Sequence, residues 1–210
     1  METTRRERAR PMSPEERRAA IVRAARPLFL EHGQATSTRL VAEAAGIAEG
    51  TVFRAFATKQ ELVDAVLDAE FDPEVFLEDV RSIDPGLDLR ERLVAYTTLL
   101  QRRFVGIFAL MAALGVPKPP PRFTDAAARR RLAQEGLASL LAQDADRFSL
   151  PVDRVVHLVR LLTFSGSHPH ISDQRPLSPE EIADVILHGV LRPAGAAPLS
   201  EDLTSEGPAS

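Results

Sequence analysis

Residues 13–58 of this 210-residue chain carry the start and stop signals of three short helices, and a longer helix follows at once. Helices that short are marginal alone, so such a run must fold back on itself as a compact helical unit. Ser13-Pro14-Glu15-Glu16 reads as a helix start, with Ser as N-cap, Pro at the first helical position and Glu closing a capping box. Ile21, Ala25, Leu28 and Phe29 then recur on one stripe, and Gly33 ends the helix. Thr36-Ser37-Thr38 offers the next cap, before a short periodic run of Leu40, Val41, Ala44 and Ala45 that Gly46 stops. A third helix runs from about Glu49 to Phe56. Thr58 caps a fourth that begins at Lys59, carries Leu62, Val63, Val66 and Leu67, and fades near Pro73.

The remainder continues in the same idiom. Helices are expected at about 74–81, 88–114, 124–147, 152–166 and 179–191, broken by Asp84-Pro85-Gly86, by the prolines between Gly115 and Pro121, by Pro151, and by the stretch 167–178. Sustained apolar–polar alternation and internal repeats are both missing from the sequence. The fold class is therefore all-α: an N-terminal three-helix unit and a larger C-terminal helical bundle. The expected organisation is a basic arm at 1–12, the three-helix domain at 13–58, the bundle at 59–192 and a disordered tail at 193–210.

Composition narrows the chemistry. With 44% hydrophobic and 27% charged residues the chain can bury a core, and with no Cys it has no disulfide framework or thiolate site. The basic start lacks an apolar stretch behind it and no continuous apolar run has the length of a membrane span, so a cytoplasmic protein with no membrane partner is expected. Charge is unevenly placed. Residues 1–60 hold 11 Lys and Arg against 7 Asp and Glu, whereas residues 61–210 hold 15 against 23. One end of the chain is suited to a polyanion and the other is not.

Residues 38–57, TRLVAEAAGIAEGTVFRAFA, supply what a helix-turn-helix requires. Ala42 is small enough for two helices to cross, Gly46 can take the positive φ of the tight turn, and Val52 can face inward from the second helix. With these residues in place the chain resembles the TetR family of bacterial transcriptional regulators. The likeness rests on Ala42, Ala45-Gly46-Ile47, Gly50-Thr51-Val52-Phe53, Phe56, Lys59 and Leu62, and more loosely on the ending Leu177–Leu191.

The resemblance implies that Glu49 to Phe56 is a recognition helix that lies in the major groove of double-stranded DNA. Thr51 and Lys59 match positions that hold phosphates, as Ser37 and Thr38 match cap and phosphate positions. Gly50 allows close backbone approach, Phe53 stands where the family often has Tyr, and Arg54 can read guanine or clamp a phosphate. Arg39 matches a position that reaches guanine in some members. Two departures stand out: Leu40 replaces a usual acidic residue, and Glu49 puts a carboxylate towards DNA, where it is repelled unless it accepts from a cytosine N4 or pairs with an Arg. Arg5, Arg6, Arg8 and Arg10 could track phosphates or enter a flanking minor groove.

Two late helices are apolar almost all round, so one face of each is left for a second copy of the chain. Val152, Val156, Val159, Ile182, Ile186 and Val190 are the expected homodimer contacts, and a two-fold dimer implies a palindromic operator. Aromatic bulk between the fourth helix and the later ones suggests a pocket for a small apolar or aromatic effector, lined by Phe71, Tyr96, Leu100, Arg103, Phe104, Phe108, Met111, Phe123 and His157. The family likeness further implies a repressor that the effector releases from its operator. His168 and His170 are a weak metal pair, no nucleophile elbow or phosphate-binding loop is present, and neither a catalytic site nor a cofactor is expected. The competing reading is a helical small-molecule-binding protein or enzyme whose residues 38–57 imitate the motif by chance.

Overall fold

The computed structural model describes residues 12–120, 132 and 134–191. The expected arm with Arg5, Arg6, Arg8 and Arg10, the pocket candidate Phe123 and the tail 193–210 lie outside them. The described chain is helical: α1 Pro14–His32, α2 Thr38–Ala45, α3 Glu49–Ala55, α4 Lys59–Phe71, α5 Pro73–Arg81, α6 Leu89–Ala113, α7 Val152–Ser167 and α8 Pro179–Val190. An isolated β-bridge joins Phe148 to Leu191.

The first of two compact units holds the described residues through Asp72 together with Ile107–Pro119. This unit extends past residue 58 to include α4, which packs on α1. Leu62, Val63, Val66 and Leu67 of α4 are buried with Ile21, Ala25 and Phe29 of α1, and Arg26 on α1 grips both carboxylate oxygens of Glu70 on α4 at 2.5 and 3.0 Å. The capping box at Ser13 forms as read, with Ser13 Oγ accepting from Glu16 N–H and Glu16 Oε2 from Ser13 N–H. After α1 the backbone turns at Gly33, where φ is +54° and an added Cβ would lie 2.4 Å from the Ala113 carbonyl oxygen. Next to it Gln34 Nε2 donates to the Leu114 carbonyl at 2.7 Å, fastening the α1–α2 connection to the end of α6.

The second unit is Pro73–Gly106 with the described residues after Pro120. Its core brings Leu93, Tyr96 and Leu100 of α6 against Leu137, Leu141 and Phe148, with Val155, Val156 and Val159 of α7 and Ala183, Ile186, Leu187 and Val190 of α8. The helix expected at 124–147 is not continuous in its described part. A π-helical stretch covers Gln134–Ala138, with non-helical φ −87° and ψ −109° at Gly136, and then come a single α-turn at Ser139–Leu141 and a 3-10 run at Ala142–Arg147. The break lies at Gly136, beside the Tyr96 ring. The segment is then held by the buried Arg92, which donates to the Leu140 carbonyl at 2.8 Å and pairs with Asp144.

α6 is long and apolar enough to cross a membrane by length and composition, although Arg92, Arg102 and Arg103 interrupt its apolar run. Its Leu93, Tyr96, Leu100 and Leu110 are buried in protein.

Candidate nucleic-acid interface

The turn between α2 and α3 is set by Gly46, which adopts the left-handed conformation at φ 65° and ψ 34°. Its N–H and that of Ile47 reach back to the carbonyls of Glu43 and Ala42, closing the helix end without a side chain. Val41, Ala42 and Val52 are buried at the crossing, as their small or aliphatic character requires. Ser37 caps α2, its hydroxyl accepting from Leu40 N–H at 3.2 Å.

α3 is seven residues long, too short to stand alone, so its far end is pinned. Phe56 is buried beneath it, and the Arg18 guanidinium lies 4.1 Å from the Phe56 ring centroid. Arg18 also donates to the Ala55 carbonyl and, at 3.0 Å, to Glu61 Oε1. Glu61 in turn accepts from Ala57 N–H at 2.8 Å, and these two contacts, the backbone bond first, hold its carboxyl below the usual range. Arg18 is not singled out by the sequence. Its partners are 37 and 43 residues away, and no local pattern announces them.

The outer face of α3 is open. Phe53 is 51% exposed, Arg54 and Gly50 are exposed, and a Cβ on Gly50 would meet nothing within 4 Å. Thr51 is half-buried. Gly50, Phe53 and Arg54, three and four residues apart, share one helical face. Across from it on α2, the Thr38 hydroxyl donates to Glu49 Oε1 at 2.7 Å, and exposed Arg39 pairs with Glu43 at 3.0 Å. Lys59 is half-buried at the start of α4, where its ammonium donates to the Gln34 carbonyl.

The other expected sets are rearranged. The pocket candidates divide between the units: Phe71, Phe108 and Met111 belong to the first, and Tyr96, Leu100, Arg103 and Phe104 to the second. There Tyr96 meets Phe76 edge-on with ring centroids 5.8 Å apart, Arg103 lies 5.5 Å from the Phe76 centroid, and Phe104 meets Phe164 edge-on. Burial pushes the Tyr96 phenol well above its usual range, against the pull of Arg160 and Arg103. His157 is exposed, because α7 turns Val155, Val156 and Val159 inward and leaves His157 on the opposite side.

The homodimer set also needs correction. Val156, Val159, Ile182, Ile186 and Val190 are buried in the chain's own core, and Val152 is half-buried. The apolar residues that face outward are Leu161 of α7 and Val185 of α8, 41% and 60% exposed, while Leu158 and Leu162 are half-buried against the core. Together with Leu150 and Gly189 they border a groove that Ile186 and Val190 also line. The ring centroids of His168 and His170 are 5.9 Å apart, and among the described residues no three His, Asp or Glu gather as a metal site would require.

Residues 21–66 match the model of the bacterial regulatory proteins of the tetR family. The HTH-type transcriptional repressor Rv3405c of Mycobacterium tuberculosis is 50% identical over 62 residues, 29% of this chain and 33% of that protein. The HTH-type transcriptional repressor KstR2 of Rhodococcus jostii is 36% identical over 83 residues, 39% of this chain and 40% of that one. The match thus spans about a third of the length of the mycobacterial relative. A solved structure from Mesorhizobium loti, assigned to the TetR family of transcriptional regulators, has the same fold, with a TM-score of 0.61 at 14% identity over 87% of this chain and all of its own.

Proposed function

We propose that this chain, whose residues 21–66 match the model of the tetR family of bacterial regulatory proteins, is a sequence-specific DNA-binding transcriptional regulator. It acts as a cytoplasmic homodimer on a palindromic operator. The observation that carries this reading is the unclaimed outer face of α3, where Gly50, Phe53 and Arg54 stand exposed on a helix fixed from behind by Val52, Phe56 and Arg18. A major groove about 12 Å wide admits one such helix. Phe53 can pack against sugar or a thymine methyl, Arg54 can reach guanine or phosphate, and Thr51 can meet the backbone. Ser37 and Thr38 bring the start of α2 to the same strand.

Two of the cations are held in exchangeable contacts. Arg39 bonds to Glu43 across one helical turn, an exposed pair of the kind that contributes little to stability. Lys59 donates to a backbone carbonyl. Either can leave its partner for DNA at small cost. The regulator is a repressor, and a small apolar or aromatic effector bound by the second unit shifts the population away from the operator-binding state. A coupling of about 1–3 kcal/mol changes operator affinity roughly 5–150-fold.

Fluorescence anisotropy with the DNA upstream of the protein's own gene tests this. We expect specific binding that weakens steeply with salt, as counterion release demands. Arg39→Ala should lose roughly ten- to a hundredfold on the operator and little on unrelated DNA. Lys59→Ala should weaken binding to all sequences alike. Absence of DNA binding at low salt leaves only a helical bundle of other function.

A further inference from the structure

We propose that Glu49 selects a cytosine in each operator half-site, its carboxylate accepting a hydrogen bond from the base's N4 amino group in the major groove. The inference rests on the DNA-binding reading above and adds to it one base of the recognition sequence.

Glu49 opens α3 and is exposed, one helical turn before the exposed Phe53. A carboxylate there meets a polyanion, so an ion pair with a neighbouring cation would be the simplest way to silence it. Arg39 is close enough to feel the Glu49 charge but gives its hydrogen bond to Glu43. Arg18 bonds to Glu61 and the Ala55 carbonyl, and Lys59 to the Gln34 carbonyl. What Glu49 receives instead is the Thr38 hydroxyl at 2.7 Å on Oε1. A neutral donor orients the carboxylate and leaves its charge intact. It also ties the first residue of α3 to the first turn of α2, so the second oxygen is presented from a supported position.

The chemistry of the groove then decides among the bases. A carboxylate only accepts. Guanine shows two acceptors, N7 and O6, and thymine shows an acceptor and a methyl group. Adenine has a donor at N6 but sets the N7 lone pair beside it, which opposes the carboxylate. Cytosine alone presents an amino donor without an acceptor on the same base edge. Phosphate repels the group outright. Glu49 therefore penalises most sequences and is relieved at one, which makes it a specificity determinant more than a source of affinity.

The test uses the full chain. Randomised duplexes are selected with the wild type, Glu49→Ala and Glu49→Gln, and each variant's thermal unfolding is compared with the wild type, since an exposed side chain should leave the fold intact. We expect one cytosine per half-site in the wild-type set to become degenerate with Glu49→Ala while the other positions hold. Glu49→Gln should turn that position towards adenine, whose N6 and N7 suit an amide. The selected cytosine is then replaced by N4-methylcytosine, which still pairs with guanine but carries a methyl group where the groove-facing hydrogen was. Wild-type affinity should fall tenfold or more, and Glu49→Ala should bind both duplexes alike. Retention of the same cytosine by Glu49→Ala, or equal wild-type binding to both duplexes, overturns the proposal and leaves the regulator reading standing. A wild type that retains no duplex at low salt overturns both.

Discussion

Gly33 and Gly46 both take positive φ, at 54° and 65°, yet their surroundings differ. Around Gly46 an added Cβ meets nothing within 4 Å, so Gly46→Ala should cost about 1–2 kcal/mol, the strain of a left-handed alanine. Gly33, at φ 54° and ψ −136°, lies outside the left-handed helical well in a region that an L side chain tolerates less, and its added Cβ would stand 2.4 Å from the Ala113 carbonyl oxygen, a backbone atom with little room to yield. We expect Gly33→Ala to lower the urea unfolding midpoint distinctly more than Gly46→Ala, by about 2 kcal/mol or more in stability. Equal midpoints for the two variants would show that the end of α6 can give way. Both glycines were legible as helix stops, because a stop depends on the local backbone alone. That Gly33 also admits Ala113 was not, since the two residues are eighty apart in the chain. Arg18 has the same character: its sequence neighbours say polar helix face, and only the fold brings it over Phe56.

Among the elements, those with a capping signal and a clean apolar stripe stand where periodicity puts them. Ser13 and Ser178 each form a complete capping box, and Gly46 closes α2. The segment 134–147 departs from the expected helix at Gly136 even though Leu137 and Leu141 are buried as a stripe would have them, and a buried ion cluster holds its far end. Arg92, 4% exposed at its side chain, pairs with Asp144, which also accepts from Arg147 at 2.7 Å. Burial works to raise the Asp144 carboxyl, but the hydrogen bonds from Arg147 and Arg92 outweigh it and hold the group below the usual aspartate range. The ionised form therefore stabilises the fold above the unfolded-chain value of about 3.9, and that contribution is lost as pH falls through the lower folded value. Urea midpoints measured from pH 7 down to pH 2.5 should fall more steeply below pH 4 in the wild type than in Asp144→Asn. At pH 7 the variant should be less stable by about 3 kcal/mol, because Arg92 keeps a buried charge without its counterion. Parallel pH profiles would mean that the cluster does not set the acid limit.

At the scale of the molecule the chain divides its labour by charge and by apolar surface. The basic balance of residues 1–60 and the acidic balance of the rest were readable by counting, and they agree with a DNA-facing N-terminal domain. Counting also found that α7 and α8 carry more apolar surface than one core needs. It could not say which stripe faces out, because both stripes of each helix are equally apolar and only packing distinguishes them. Val156 and Ile186 went inward, so Glu at either position would test folding before it tested assembly. Leu161 and Val185 are the outward pair, on the two helices that border the apolar groove. A second copy of the chain laid across that groove by a two-fold axis would cover both pairs at once. The double variant Leu161→Glu with Val185→Glu should keep the wild-type far-ultraviolet circular dichroism while sedimenting as a monomer, with an unfolding midpoint that no longer depends on protein concentration. Its operator affinity should fall far more than its affinity for a single half-site, since the loss is of the second reading head and not of the first. Dimers that persist in the double variant would place the interface on another face.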